Sequence, residues 1–168
     1  EYVVSAAEDI TERKRTEDAL KDSAANFTAF FETMTDMIFA GTPDGQILFA
    51  NKAVEQKLGY GADELRGMHL LDVHPAEKRQ EAEEIFGAMF RGERSSCPLP
   101  LARKNGTLVP VETRIWFGKW NGADCIFGIS KDLTAEQEAQ QRFERLFRNN
   151  PALMALSLMP ERTFMDMN

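Results

Sequence analysis

Apolar residues early in the chain fall at Leu20, Ala24, Phe27, Phe31 and Met34, a spacing of 4, 3, 4, 3 that draws one stripe along a helix. Ahead of the stripe, ten of the sixteen residues from Glu8 to Ser23 are charged, so this helix begins as a solvated rod and turns amphipathic later. Carried backwards, the same phase meets Glu17, Arg13 and Ile10, a seam too polar for a stable isolated coiled coil. The period then changes. Asp36 to Thr42 and Gln46 to Ala50 read as short strands around a Pro43-Asp44-Gly45 turn. Asn51 is placed to cap a short helix that ends at Leu58-Gly59, and one helical turn from Ala62 to Arg66 closes at Gly67. A longer helix runs from about Pro75 to Arg91, with Ala82, Ile85, Phe86 and Met89 on one face. Three strands follow, punctuated by Asn105-Gly106 and Asn121-Gly122. Pro98 and Pro100 confine the first to a sheet edge, and Val109, Val111, Thr113, Ile115 and Phe117 share a face of the second. The expected fold is α+β: one antiparallel sheet with short helices and flanking linker helices.

The pattern also repeats. Asp9-Ile10-Thr11 and Asp132-Leu133-Thr134 each precede a charged helical stretch. Ala29-Phe30-Phe31-Glu32 has a counterpart in Arg145-Leu146-Phe147-Arg148, and Asn51 in Asn168. The division this implies is the end of a preceding module over residues 1–7, read as its last strand, then a linker helix over 8–26. One complete domain follows over 27–134, a second linker helix over 135–148, and the start of a further module over 149–168. The chain is thus expected to be an excerpt of a longer protein. From Asp9 to Phe31 is 22 residues and from Asp132 to Phe147 is 15, a difference of one heptad. A heptad changes linker length by about 10 Å while conserving which face points where. That equality suggests two chains in parallel, passing rotation or register between modules.

Bulk properties narrow the functional classes. At 168 residues with 43% apolar and 28% charged residues, the chain supports one domain with a core plus extensions. A net charge of −7 argues against a nucleic-acid partner, and no apolar run is long enough to span a bilayer. Two cysteines, Cys97 and Cys125, make no disulfide framework; they read as small buried hydrophobes in a reduced, cytoplasmic setting.

The ordered set Asp44-Gly45, Ile47, Phe49, Asn51, Leu58-Gly59-Tyr60, Glu64-Leu65-Arg66-Gly67, Asp72-Val73-His74-Pro75, Lys104-Asn105-Gly106-Thr107 and Asp132-Leu133-Thr134 resembles the PAS domain family of sensory modules. The resemblance covers about residues 27–134. It implies a five-stranded antiparallel sheet with short helices on one face, an internal cavity, and a closing Asp-x-Thr that couples the sheet to an output helix. It also implies a setting in bacterial multi-PAS signal-transduction proteins of the two-component, sensor-kinase or cyclic-dinucleotide kind. Flavin photosensors of the family carry a reactive cysteine about where Leu70 stands here, so a covalent flavin adduct is disfavoured. Haem-binding members place an axial His in the helix that here has Ala82 and no His, which disfavours haem. The residues do not name a cofactor otherwise.

Candidate chemistry outside that resemblance is thin. His69 and His74 are five apart and join no carboxylate or thiol cluster, so they read as structural, with the His74 ring bonding backbone. No nucleophile elbow, phosphate loop or metal-ligand spacing stands out, and the fragment reads as regulatory rather than catalytic. The pocket, if vacant, is expected to be lined by Ile38, Ala40, Leu58, Leu65, Leu70, Ile85, Phe86 and Met89 together with apolar residues of the last three strands; the other reading is that these side chains fill the core. Asp132, Leu133, Thr134 and their counterparts Asp9, Ile10 and Thr11 are the expected relay positions. The expected function is a sensory and dimerisation module that relays a signal through its linker helices to an effector domain elsewhere. Expected partners are a second copy of the chain, a small molecule and neighbouring PAS and effector domains, with no nucleic acid and with no membrane in this segment, a membrane anchor elsewhere in the parent protein being left open. Two alternatives stand beside it, a ligand-free interaction spacer and a noncovalent flavin-binding redox or light sensor.

Overall fold

The structure, a computed structural model, describes residues 2–148, 155–158 and 163–167, with side chains for residues 12–148. It forms two compact units, Glu1–Lys131 and Asp132–Asn168. The first opens with α1 (Tyr2–Thr33), followed by β1 (Met37–Gly41) and β2 (Ile47–Ala50). Then come α2 (Lys52–Leu58), α3 (Ala62–Arg66), 3-10 turns at Leu70–Val73 and Ala76–Lys78, and α4 (Arg79–Phe90). The strands β3 (Leu101–Ala102), β4 (Leu108–Val109), β5 (Val111–Trp120) and β6 (Ala123–Asp132) lead into α5 (Thr134–Arg148) of the second unit. The backbone of that unit ends in the antiparallel pair β7 (Ala155–Leu158) and β8 (Thr163–Met167).

The main sheet has the order β2-β1-β6-β5. Its turns follow the local chemistry. Asn121 and Gly122, with φ of 50° and 82°, form the left-handed pair that a tight hairpin between twisted strands requires. Asn51 caps α2, which closes on Gly59 in the left-handed region at φ 78°. The principal core lies between the sheet and the helices. It joins Met37, Phe39 and Ile47 of the strands to Val54 and Leu58 of α2, Leu65 of α3, and Leu101, Val109 and Val111. A second cluster sets Ala82 and Ile85 of α4 against Cys97 and Leu99. Cys97 and Cys125 are both buried and free.

Three expectations are corrected. The fifth strand is reduced to a single bridge, in which Cys97 N–H donates to Thr113 O at 2.7 Å and Thr113 N–H to Cys97 O at 2.9 Å. Pro98 and Pro100 lack the donors to extend it, so the chain pairs Leu101–Ala102 with Leu108–Val109 in a separate ladder instead. The continuous strand expected from Thr107 to Phe117 breaks at Pro110 for the same reason. Finally, residues 2–7 are helical rather than a strand, as part of α1. A strand must borrow hydrogen bonds from a neighbour, whereas a helix satisfies its own, and among the described residues no strand pairs with this segment. Asp9-Ile10-Thr11 therefore lie inside a helix, while Asp132-Leu133-Thr134 end a strand and open one. No helix among the described residues is long and apolar enough to cross a membrane.

Candidate functional site

A cavity of about 300 Å³ lies between α4 and the sheet. Strand alternation sets its floor. On β6, Ile126, Gly128 and Ser130 face it, while Phe127 and Ile129 face a groove on the opposite side of the sheet, beneath Phe27 and Phe31 of α1. Phe39 of β1 and Thr113 and Ile115 of β5 complete the floor. The roof is one stripe of α4, made of Glu83, Phe86, Gly87 and Phe90, spaced 3, 1 and 3 residues apart.

The mouth is framed by a backbone strap that ties the β1–β2 turn to the 3-10 turn before α4. Leu70 N–H donates to Gly45 O at 2.7 Å and Ile47 N–H to Met68 O at 3.0 Å. The His69 ring sits between them. Leu71 N–H donates to His69 Nδ1 at 3.1 Å, so that nitrogen carries the lone pair, and Nε2–H donates to Asp44 O at 2.8 Å. Gly45 makes this possible: its φ is 89°, and a Cβ there would stand 2.2 Å from His69 Nε2. The Asp44 carboxyl is held below the ordinary carboxylate range, chiefly by the Thr42 hydroxyl and secondarily by backbone. Asp72 accepts from His69 N–H at 3.0 Å and pairs with Arg79 at 3.0 Å.

Two polar features lie deeper. His74 is buried, its Nδ1–H donating to Pro100 O at 3.0 Å and its ring 5.6 Å from that of Phe86. Burial pushes its pKa down, so the ring stays neutral. The Thr113 and Ser130 hydroxyls, also buried, bond each other at 2.7 Å on the cavity floor.

Of the eight residues expected to line a pocket, Leu70 and Phe86 do so. Leu58 and Leu65 belong to the principal core and Ile85 and Met89 to the α4 cluster. Ala40 is fully buried, and Ile38 points through the other face into the α1 groove. Phe39, Thr113, Gly128 and Ser130 were not singled out. The signal for them was strand parity, every second residue of β6 and the odd positions of β5. At the relay position, Asp132 Oδ1 accepts from both Thr134 N–H at 2.9 Å and Thr134 Oγ1–H at 2.6 Å, fixing the start of α5. The side chains of Asp9, Ile10 and Thr11 lie outside those described.

Residues 35–135 match the family described as PAS domain. The chain is 27% identical over 124 residues to a methyl sulfide methyltransferase-associated sensor of Methanosarcina acetivorans, a match that takes in 73% of this chain but spans 12% of the sensor. It is 46% identical to the crystallised PAS domain of a Desulfitobacterium hafniense protein, with a TM-score of 0.57 over 62% of this chain and 99% of that one. The PAS domain of an HTR-like protein from Haloarcula marismortui is 25% identical, with a TM-score of 0.62 over 71% of this chain and 98% of its own.

Proposed function

This chain belongs to the PAS domain family, and we propose on that premise that it is a sensory and dimerisation module without catalysis of its own. In this reading a small molecule in the cavity biases the linker helices, which pass the bias to an effector domain outside the chain. The observation that carries it is the position of β6. Its cavity-facing residues Ile126, Gly128 and Ser130 lie on the strand that continues directly into Asp132-Leu133-Thr134 and α5. A ligand that moves the floor therefore pulls on the chain that starts the output helix.

Dimerisation is supported by α1. Leu20, Phe27 and Phe30 are 71%, 55% and 58% exposed in the single chain. A second copy in parallel would cover these three side chains, since exposed apolar faces of this kind mark interaction surfaces. The order α5-β7-β8 repeats α1-β1-β2, which supports a following module of the same kind. Effectors of the histidine-kinase or cyclic-dinucleotide type suit this arrangement, in a cytoplasmic setting.

Native mass spectra of the purified chain, compared with denaturing spectra of the same sample, test the reading. A stoichiometric small molecule released on denaturation supports a sensor. A ligand-free dimer whose output in the parent protein ignores cavity-filling substitutions refutes it in favour of an interaction spacer. A yellow preparation would show the flavin alternative.

A further inference from the structure

Two glycines line the cavity without any structural demand for glycine. Gly87 lies inside α4 and Gly128 inside β6, and neither has a positive φ. A Cβ at Gly128 would make ordinary contacts, 3.7 Å from Ile115 Cγ2 and 4.0 Å from Phe39 Cβ. One at Gly87 would meet the end of the Arg91 side chain at 3.3 Å, a contact that the exposed guanidinium relieves by giving a few tenths of an ångström. Gly118 is different, since a Cβ there would stand 2.7 Å from the Phe127 ring. Glycine weakens the interior of a helix or strand, so the backbone favours another residue at both positions, and the surrounding atoms leave room for one, freely at 128 and with a small shift of Arg91 at 87. What these two share is the cavity, one on its helix wall and one on its sheet wall. A side chain at either place would project into the space.

Charge narrows the occupant further. Among the described residues no Lys or Arg lines the cavity, whereas Asp44 and Glu83 do. Two neighbouring cations are each paired already, Arg91 with Glu93 through two bonds of 2.8 and 2.9 Å and Arg79 with Asp72 at 3.0 Å. An anion would therefore meet like charge at the mouth and no counter-charge inside. On the floor, the Thr113–Ser130 pair uses one O–H in its mutual bond and leaves a second O–H and several lone pairs. Phe39, Phe86 and Phe90 supply aromatic walls. Building on the sensory reading above, we infer that the cavity takes a neutral, flat, mostly apolar molecule of ring-system size. It slots between Gly87 and Gly128, with one polar group on the Thr113–Ser130 hydroxyls.

Indole and benzoate, similar in size and shape but neutral and anionic, are the probes. Each is titrated against the full chain by saturation-transfer NMR, with thermal unfolding alongside. Indole should bind at least about tenfold more tightly than benzoate, the margin a missing counter-charge sets. Gly128→Val should weaken indole by about tenfold through overfilling, with Tm unchanged or raised. Thr113→Val should weaken it roughly three- to tenfold. Gly87→Ala should raise Tm by about 2 °C or more. If Gly128→Val fails to fold, Gly87→Leu blocks the slot from the helix wall. Benzoate binding as tightly as indole, and lost in the blocked variant, overturns the neutral class but leaves the sensory reading standing, because the cavity is then still a ligand site. Binding of neither probe, or indole binding indifferent to blockage, overturns the slot itself. The native spectra of the wild-type chain then decide the sensory reading separately.

Discussion

Asn51→Asp separates two accounts of one buried side chain. As a helix cap alone, Asn51 should tolerate Asp, which caps equally well. The structure gives it more to do. Asn51 is fully buried; Oδ1 accepts from Ile38 N–H at 3.0 Å and Val54 N–H at 3.4 Å, and Nδ2 donates to Phe31 O and Asp36 O, both at 3.0 Å. One amide thus joins the end of α1, the approach to β1, β1 itself and the start of α2. Asp keeps the two acceptor bonds and turns both donors into an oxygen facing two carbonyls. Ionised, that oxygen is repelled by both; neutral, it needs a proton. Holding a proton at pH 7 on a group with an unfolded pKa of about 3.9 costs about 4 kcal/mol. Even then one carbonyl of the two is left unserved. The substitution should therefore cost at least about 4 kcal/mol, against about zero for a cap alone, and Asn51→Ala about 3 kcal/mol.

Urea unfolding followed by tryptophan fluorescence reads the right unit, because Trp116 and Trp120, the chain's two tryptophans, both lie on β5. With a slope of about 2 kcal/mol per molar, the midpoint should fall by at least about 2 M in Asn51→Asp. The deficit should shrink with acid. The folded variant's carboxyl titrates above its unfolded value, so the folded state takes up the proton first as pH falls. An Asn51→Asp midpoint matching wild type at pH 7 would refute the four-bond account.

Three further outcomes follow from the same geometry. Gly45→Ala combines a left-handed φ of 89° with a 2.2 Å collision with His69, and should cost about 2–4 kcal/mol in thermal or urea unfolding; in a His69→Ala background the cost should drop to about 1 kcal/mol, the backbone part alone. His74 has a folded pKa depressed below 6.5, so the unfolded state binds the proton first; stability should fall as pH drops below about 6.5, and His74→Asn, which keeps a donor for Pro100 O, should lose that component in urea midpoints taken from pH 7.5 to 5. Insertion of one to three residues after Thr134 rotates α5 out of phase and should scramble output in the parent protein, whereas seven residues, about 20° short of whole turns, should be tolerated; equal tolerance of both removes the helical-phase idea.

Short-range chemistry was legible where one residue type has one backbone use. Asn51 with Gly59, Gly67 after the Ala62–Arg66 turn, and Asn121-Gly122 mark their helices and hairpin within the chain itself, and each formed as read. The prolines were legible only in part. Pro98 and Pro100 marked an edge, but that they would leave one bridge depended on Leu101 finding Val109 as a better partner. Pro110 carries the same message, but it sits inside a run whose apolar alternation through Val109 and Val111 continues across it. The cavity was the least legible, for a physical reason. Apolarity is identical on a core wall and a cavity wall, and only the relative placement of α4 and the sheet distinguishes Leu58, which fills space, from Leu70, which borders it. Parity could have sorted Ile38 from Phe39. Which parity faces the helices is set by how the chain crosses the sheet, and the period does not contain it.

That parity also bears on how a bound molecule could be felt outside the cavity. β6 is a single layer with a different environment on each side. Ile126, Gly128 and Ser130 face the cavity, and Phe127 and Ile129, one residue away, face the groove under Phe27 and Phe31. β1 repeats the arrangement, with Phe39 on the cavity side and Ile38 on the groove side. Phe127 also packs edge-on against Trp120 at 6.1 Å, and Trp120 stacks on Phe49 of β2 at 5.3 Å, which lies 6.5 Å from Phe31 of α1. A close-packed interior transmits a displacement rather than absorbing it. Pressure on Gly128 would therefore reach the incoming helix through one layer of aromatic contacts and the outgoing helix through the backbone of β6. Because Gly128 contributes no side chain, a ligand would press on the strand itself, and Gly128→Val should mimic occupancy in output assays of the parent protein even as it blocks binding.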